Sequence, residues 1–366
     1  MRHMSSRPVV HLHIGAPKTG TTYLQDRLTV NARRLRDHDV HVPALNAWTS
    51  PATSHFRAAL DLLDQDWGGT SGHARGAWPT MARKIRKSSG TVVLSHEILA
   101  PAPQARIARL MNDLSGCEVH VVYSARDLAR QLPAAWQESI KQGRKWRFER
   151  FLDSAEAGKA WFMRAFDLPT VLNNWSRNLP PERVHVVTVP PAGAEPDELW
   201  LRFCAVFGID PAWAPLDSER ANASLGIAET ELLRRLNRRI DRRTRRYAPQ
   251  DDLLRRMLDE GELGGSTSGK VELPPERLPW AEEQAERWID WVKGSGVHVV
   301  GDVEDLWPRL DPAEEWCDPD RVPRKALARV AIEALAAMTN EAASRPDPRQ
   351  ELGARIRRRA EHLRDW

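Results

Sequence analysis

Val9-Val10-His11-Leu12-His13-Ile14-Gly15-Ala16-Pro17-Lys18-Thr19-Gly20-Thr21-Thr22-Tyr23-Leu24-Gln25 is the stretch on which the reading of this chain turns. Its opening run, Val9 to Ile14, is short, β-branched and apolar, and reads as a buried strand. The run breaks at Gly15, turns through Pro17 and Gly20, and resumes as a helix at Thr21, where Leu24, Leu28 and Leu35 form one apolar stripe. Strand, glycine-containing turn and helix is the geometry that aims backbone N–H groups and a helix N-terminus at an anion. Lys18 adds a positive point charge inside the turn, and Thr21 and Thr22 add hydroxyl donors in the first helical turn. The stretch is expected to cradle phosphate, or a group shaped like phosphate.

The position of the lysine decides between cradles. A nucleoside-triphosphate loop reads G-x-x-x-x-G-K-[ST], with the lysine directly after the second glycine. Gly15 and Gly20 keep that spacing, but position 21 is threonine and the lysine lies inside the turn, at 18. The strict triphosphate pattern therefore fails.

Working outward, further strands are expected at 91–95, 118–123 and 184–189, with a short edge strand at 40–43 and a lone candidate at 297–300. Helices are expected near 54–65, 74–87, 102–114, 127–142, 198–208, 227–247, 276–293, 323–343 and 349–364. Strands separated by helical crossovers imply an α/β fold, a parallel sheet with helices on both faces, followed by a helical C-terminal part. Such sheets bind ligands at the carboxyl ends of their strands. Lys18, His96 and Arg126 each lie just past such an end, so three strands bring candidates to one rim.

Pro17-Lys18-Thr19-Gly20-Thr21-Thr22-Tyr23 resembles the 5′-phosphosulfate loop of sulfotransferases that use 3′-phosphoadenosine 5′-phosphosulfate. Val121 to Leu128 resembles the same family's 3′-phosphate motif, and the run Arg126 to Lys141 its actinobacterial branch. The resemblance is strong over 9–30 and 91–141, fair to about 310, and absent beyond. It implies a P-loop-like sulfotransferase fold and 3′-phosphoadenosine 5′-phosphosulfate as donor, with no metal required. Gly15, Pro17, Lys18, Thr19, Gly20, Thr21 and Thr22 would then hold the 5′ end of the donor. Lys18 would also be catalytic, balancing charge on the leaving phosphate. Tyr23 would stack on adenine, although ordinary helix packing accounts for it equally well. Arg126 would anchor the 3′-phosphate. The serine expected eight residues on is Ala134, and Ser124 and Ser139 are the nearby hydroxyls. The base is His96 or Glu97; His96 is favoured because imidazole titrates near neutrality, with Glu97 orienting it or serving instead. Gln131, Trp136 and Gln137 are expected toward the cleft, with helix packing an equal account of Trp136. The family's late R-K-G-x-x-G loop is missing; Asn222 to Gly226 resembles the matching region of the bacterial branch weakly, and Gly261 to Lys270 reads as a flexible loop or lid.

Composition narrows the remaining choices. Hydrophobic content of 41% with 28% charged residues is that of an ordinary globular protein rather than a disordered one. A net charge of +4 is too small to argue for nucleic acid, and none is expected as a partner. Three distant cysteines form neither a zinc motif nor a disulfide framework, which fits a reducing, cytoplasmic setting. No apolar run reaches the ~20 residues of a membrane span, no signal-like segment is present, and Met1 to Ser6 reads as an unstructured lead-in.

The division expected is a catalytic domain over 1–320 and a basic helical extension over 321–366, where eleven Lys/Arg face six Asp/Glu. That extension leaves an anionic partner or a homo-oligomer contact open. Eight arginines between 234 and 246 are expected on the solvated face of a helix whose other face carries Leu232, Leu233, Leu236 and Ile240. The function expected is transfer of a sulfuryl group to a hydroxyl, or an amine, of a small molecule, glycan or lipid. A kinase with an altered loop and a non-catalytic adenine-nucleotide or polyanion binder are the alternatives.

Overall fold

The computed structural model describes residues 7–218, 225–240, 268–310 and 315–344. The candidate helix 349–364, the four arginines of 242–246, Met1 to Ser6 and most of the segments 222–226 and 261–270 lie outside them. The described residues fall into two compact units. One is drawn from Met1–Gln142, Trp146–Asn222 and Val271–Asp318, the other from Gly143–Lys145, Ala223–Lys270 and Pro319–Trp366.

The first unit is built on six parallel strands: β1 (Val9–His13), β2 (Val40–His41), β3 (Thr91–Ser95), β4 (Glu118–Ala125), β5 (Val184–Thr188) and β6 (His298–Val300). Their order is β2-β3-β1-β4-β5-β6. Helices of this unit are α1 (Thr21–Arg36), α2 (Pro51–Leu62), α3 (Ala77–Lys87), α4 (Gln104–Asp113), α5 (Leu128–Lys141), α6 (Phe148–Glu156), α7 (Met163–Phe166), α8 (Leu168–Trp175) and α9 (Glu198–Phe207). α10 (Ile227–Arg239) belongs to the second unit, α11 (Leu278–Ser295) to the first, and α12 (Arg324–Ser344) to the second. Among the described residues, no helix is long and apolar enough to cross a membrane.

The β-branched runs form central strands because both of their faces are buried. On one face Val93, Val122 and Val187 pack with Leu24, Leu28 and Leu35 of α1 and with Trp200, Phe203 and Phe207 of α9. On the other, the Tyr123 hydroxyl donates to the Ala165 carbonyl of α7 at 2.8 Å. The connections lead to opposite sides from β1 and from β4: the one from β1 runs toward β2, and that from β4 runs toward β5. The crevice between β1 and β4 is therefore the switch point where a parallel sheet takes its ligand.

Four histidines on the α1/α9 face cross the opposite half of the sheet: His11 of β1, His120 of β4, His185 of β5 and His298 of β6. Successive ring centroids are each 5.1 Å apart. The Glu118 carboxylate accepts from His120 Nε2 at 3.0 Å. This leaves His120 Nδ1 to accept from His185 Nε2 at 2.9 Å, and His185 Nδ1 to accept from His298 Nδ1 at 3.0 Å. One carboxylate thus sets three tautomers in the neutral state. Burial, with His120 and then a further histidine, pulls His11 down to about 3 and His185 to about 4.

In the second unit the structure corrects the expected basic face of the helix after 227. Arg234 is buried, paired with Glu231 at 2.7 Å and Asp320 at 3.9 Å, while Leu236 is exposed. A buried guanidinium needs a carboxylate, and Glu231, one turn earlier on α10, supplies it. Arg235, Arg238 and Arg239 do lie on the outside.

Candidate active site

The loop after β1 is fastened to β4 and α5 by its backbone. Ile14 and Ala16 continue the ladder, donating to the carbonyls of Val122 and Ser124 at 2.9 and 3.0 Å. Gln131 donates to the Pro17 carbonyl at 2.9 Å, and Arg126 Nη1 to the Lys18 carbonyl at 3.0 Å. Thr19 turns inward, its hydroxyl on the Ala16 carbonyl at 2.6 Å and the Ser124 hydroxyl at 2.5 Å. Lys18 is held at φ +68°, a left-handed conformation unfavourable for a residue with a Cβ.

Two glycines are required here. Gly15, at φ +61°, lies where a Cβ would stand 2.9 Å from Thr21 Cγ2 and 3.0 Å from Glu97 Cβ. Gly20, at φ +85°, caps α1 and would press a Cβ to 2.5 Å of Leu199 Cδ2. It contributes no side chain to the first-turn amides, which carry no side-chain cap. Thr21 is buried behind the turn and Thr22 is exposed on it.

Arg126 follows β4, so the structure sets two expected site residues, Lys18 and Arg126, in direct contact. Burial, reinforced by Arg130 and opposed by Asp127, pulls the Arg126 guanidinium down to about 10. Its Nε is buried without a hydrogen-bond partner. A donor left in that condition beside a loop of free amides fits an anion. The two hydroxyls near Ala134, Ser124 and Ser139, are engaged elsewhere. Ser124 bonds Thr19 and His13, and Ser139 donates to the Trp136 carbonyl at 2.7 Å.

His96 and Glu97 follow β3 and begin a 3₁₀ turn, Glu97–Leu99. The imidazole is buried against Phe56, ring centroids 5.0 Å apart. Its Nδ1 accepts the Ile98 N–H at 3.3 Å, which leaves the proton of the neutral ring on Nε2. Burial lowers its pKa despite Glu97. Glu97 is the more open of the two, with 25% of its side chain exposed against 10% for His96. Burial acts to raise its carboxyl, but His96, its own backbone N–H and the Gln25 amide outweigh this and hold it below the usual carboxylate range. Gln25 donates to Glu97 Oε2 at 3.1 Å.

A hydrogen-bonded chain ties the two sides of the rim together. His13 reaches Ser95 Oγ through Nδ1 at 2.7 Å and Ser124 Oγ through Nε2 at 3.1 Å. Gln25 donates to Ser95 Oγ at 3.3 Å as well as to Glu97. Burial takes His13 down to about 3, so it serves as a neutral link between hydroxyls.

The remaining expected residues are placed as follows. Tyr23 sits on α1 against the apolar core, and its hydroxyl accepts from Arg27 at 2.5 Å. Trp136 is fully buried against Phe148, ring centroids 4.9 Å apart, and Gln137 is buried. Sequence reading missed Gln25, His13 and Glu138, which pairs with Lys18. Gln25 lies one turn beyond Thr21, and Glu138 lies two turns beyond Gln131 on the same face of α5; these helical spacings were the available signal.

Comparison with protein-family models, with curated proteins and with solved structures finds no match for this chain.

Proposed function

We propose that the chain is a sulfotransferase using 3′-phosphoadenosine 5′-phosphosulfate, with a P-loop-like sulfotransferase fold. The observation that carries the reading is the β1 loop beside Arg126: open amides, a lysine inside the turn, and a buried guanidinium Nε without a partner. When bound, the donor supplies the sulfuryl group and leaves as the 3′,5′-bisphosphate. Lys18 and the amides of Lys18 to Thr22 hold its 5′-phosphate and balance the charge that grows there. Arg126 takes the 3′-phosphate. Thr22, exposed in the first helical turn, adds a hydroxyl donor.

As proton acceptor, Glu97 is better supported than His96. It is ionised at neutral pH and more exposed, whereas the His96 Nδ1 lone pair is already taken by Ile98 N–H. Glu97 removes the proton of the acceptor hydroxyl as its oxygen attacks sulfur, and Gln25 orients the carboxylate. Acceptors are small molecules, glycans or lipids carrying a hydroxyl. The setting is cytoplasmic.

Thermal unfolding with added nucleotides tests the reading. Adenosine 3′,5′-bisphosphate should raise the melting temperature, because a ligand that binds only the native state stabilises it. ATP with Mg²⁺ should do so much less, and equal or greater stabilisation by ATP would replace the sulfotransferase with a kinase.

A further inference from the structure

Lys18 is already engaged. Its Nζ donates to Glu138 Oε2 at 2.6 Å, with both side chains about one-third exposed, at 32% and 36%. Burial acts to raise the Glu138 carboxyl, but the Lys18 ammonium beside it prevails, with Lys141 and Gln142 adding to it, and holds it below the usual carboxylate range. A carboxylate this close to a phosphate-binding lysine repels the anion the loop is shaped for. On the reading of the loop as a 5′-phosphosulfate cradle, we propose that Glu138 is the resident counter-ion of Lys18. An incoming anion must displace it, and Glu138 thereby determines which ligands engage the lysine.

Three features support this role. The backbone of the loop is held independently of the Lys18 side chain, through Pro17 on Gln131, Lys18 carbonyl on Arg126 and Thr19 on Ala16 and Ser124. Exchange of partners therefore needs only the flexible four-carbon stem to turn. Second, Gln131 and Glu138 are seven residues apart on α5, so one helix face grips the loop and neutralises its charge. Third, Gln142 donates to the other Glu138 oxygen, Oε1, at 3.1 Å. The carboxylate is not orphaned when Lys18 leaves, and a pair this exposed is weak enough for a multiply charged ligand to break.

Calorimetric titration of wild type, Glu138→Gln and Glu138→Ala with adenosine 3′,5′-bisphosphate and with adenosine 3′-phosphate tests the proposal. Both variants should bind the bisphosphate roughly five- to tenfold more tightly, from release of the ion pair and of the repulsion. Adenosine 3′-phosphate, with nothing to offer Lys18, should be unchanged. In a Lys18→Ala background the gain from Glu138→Gln should shrink, because only the repulsion is then left to relieve. A gain that is equal for the two nucleotides, or that survives Lys18→Ala undiminished, would overturn the role, as would weaker bisphosphate binding by the variants. If wild type binds neither nucleotide, the donor reading fails, and the same variants titrated with pyrophosphate decide the role of Glu138. Tighter pyrophosphate binding by Glu138→Gln supports it, and unchanged binding overturns it.

Discussion

Acidification is the perturbation for which the fold gives the most definite magnitude. Four buried imidazoles are held far below the ordinary histidine value of 6.5: His11 and His13 at about 3, His55 and His185 at about 4. Burial is the first cause for each; His120 adds to it at His11 and His185, and His96 at His55, while at His13 Glu97 opposes it. A base with a depressed pKa in the folded state binds its proton more readily when unfolded. Stability is therefore present above about pH 6.5 and is lost as pH falls toward 4 for His55 and His185 and toward 3 for His11 and His13. At pH 6 each group costs about 1 kcal/mol and at pH 5 about 2 kcal/mol, so the four together remove roughly 3–4 and then about 8 kcal/mol. A domain of ordinary stability, about 5–15 kcal/mol, should thus approach unfolding near pH 5. Urea denaturation followed by circular dichroism from pH 8 to 5, at constant ionic strength, measures the slope, which should approach four protons at pH 5. His185→Gln, if folded, should lower that slope by about one. A midpoint that stays level between pH 8 and 5 would refute the reasoning, because no buried neutral imidazole could then be gaining a proton on unfolding.

Arg126→Ala should weaken adenosine 3′,5′-bisphosphate by about 1.5–3 kcal/mol and adenosine 5′-phosphate less, in calorimetric titrations; equal losses would remove Arg126 from the 3′-phosphate. Ala134→Ser should tighten the bisphosphate in the same assay, since Ser124 and Ser139 are occupied elsewhere. Glu97→Gln should lower turnover ~10²–10⁴-fold, with bisphosphate affinity within a few-fold, when measured with labelled donor and an acceptor found by screening. His96→Ala should be milder, and the reverse order would return the base to the imidazole. Gly15→Ala should destabilise by about 1–3 kcal/mol through its positive φ and the approach of Thr21 and Glu97, read as a lower melting temperature and weaker bisphosphate binding.

Local elements were legible because their causes are local. A β-branched run ended by Gly15 makes a strand and a turn, and the run Thr91–Ser95 makes β3 in the same way. Crossover lengths implied parallel pairing, and the rim candidates Lys18, His96 and Arg126 follow from reading strand ends alone. The Phe148–Glu156 and Leu168–Trp175 helices were not anticipated; α6 has no side-chain cap at its N-terminus, whereas α8 opens on Asp167 and Pro169, a start signal that its short length of eight residues left isolated.

What only the tertiary structure decided depends on which distant groups meet. Strand order placed β4 beside β1, and with it Arg126 against the Lys18 carbonyl. The partner of Lys18 lies 120 residues away; the spacing from Gln131 puts Glu138 on the loop-facing side of α5, but the pairing itself follows only from where the fold sets that helix. Adjacent residues at one strand end, His96 and Glu97, were separated by burial: Phe56 covers the ring, and Gln25 reaches the carboxylate. Arg234 had the sequence signature of a solvated face and went inside, because Glu231 and Asp320 were there to meet its charge. Periodicity reports which face of an element is apolar. The cost of burying a charge depends on the partners brought to it, and those are set by the fold.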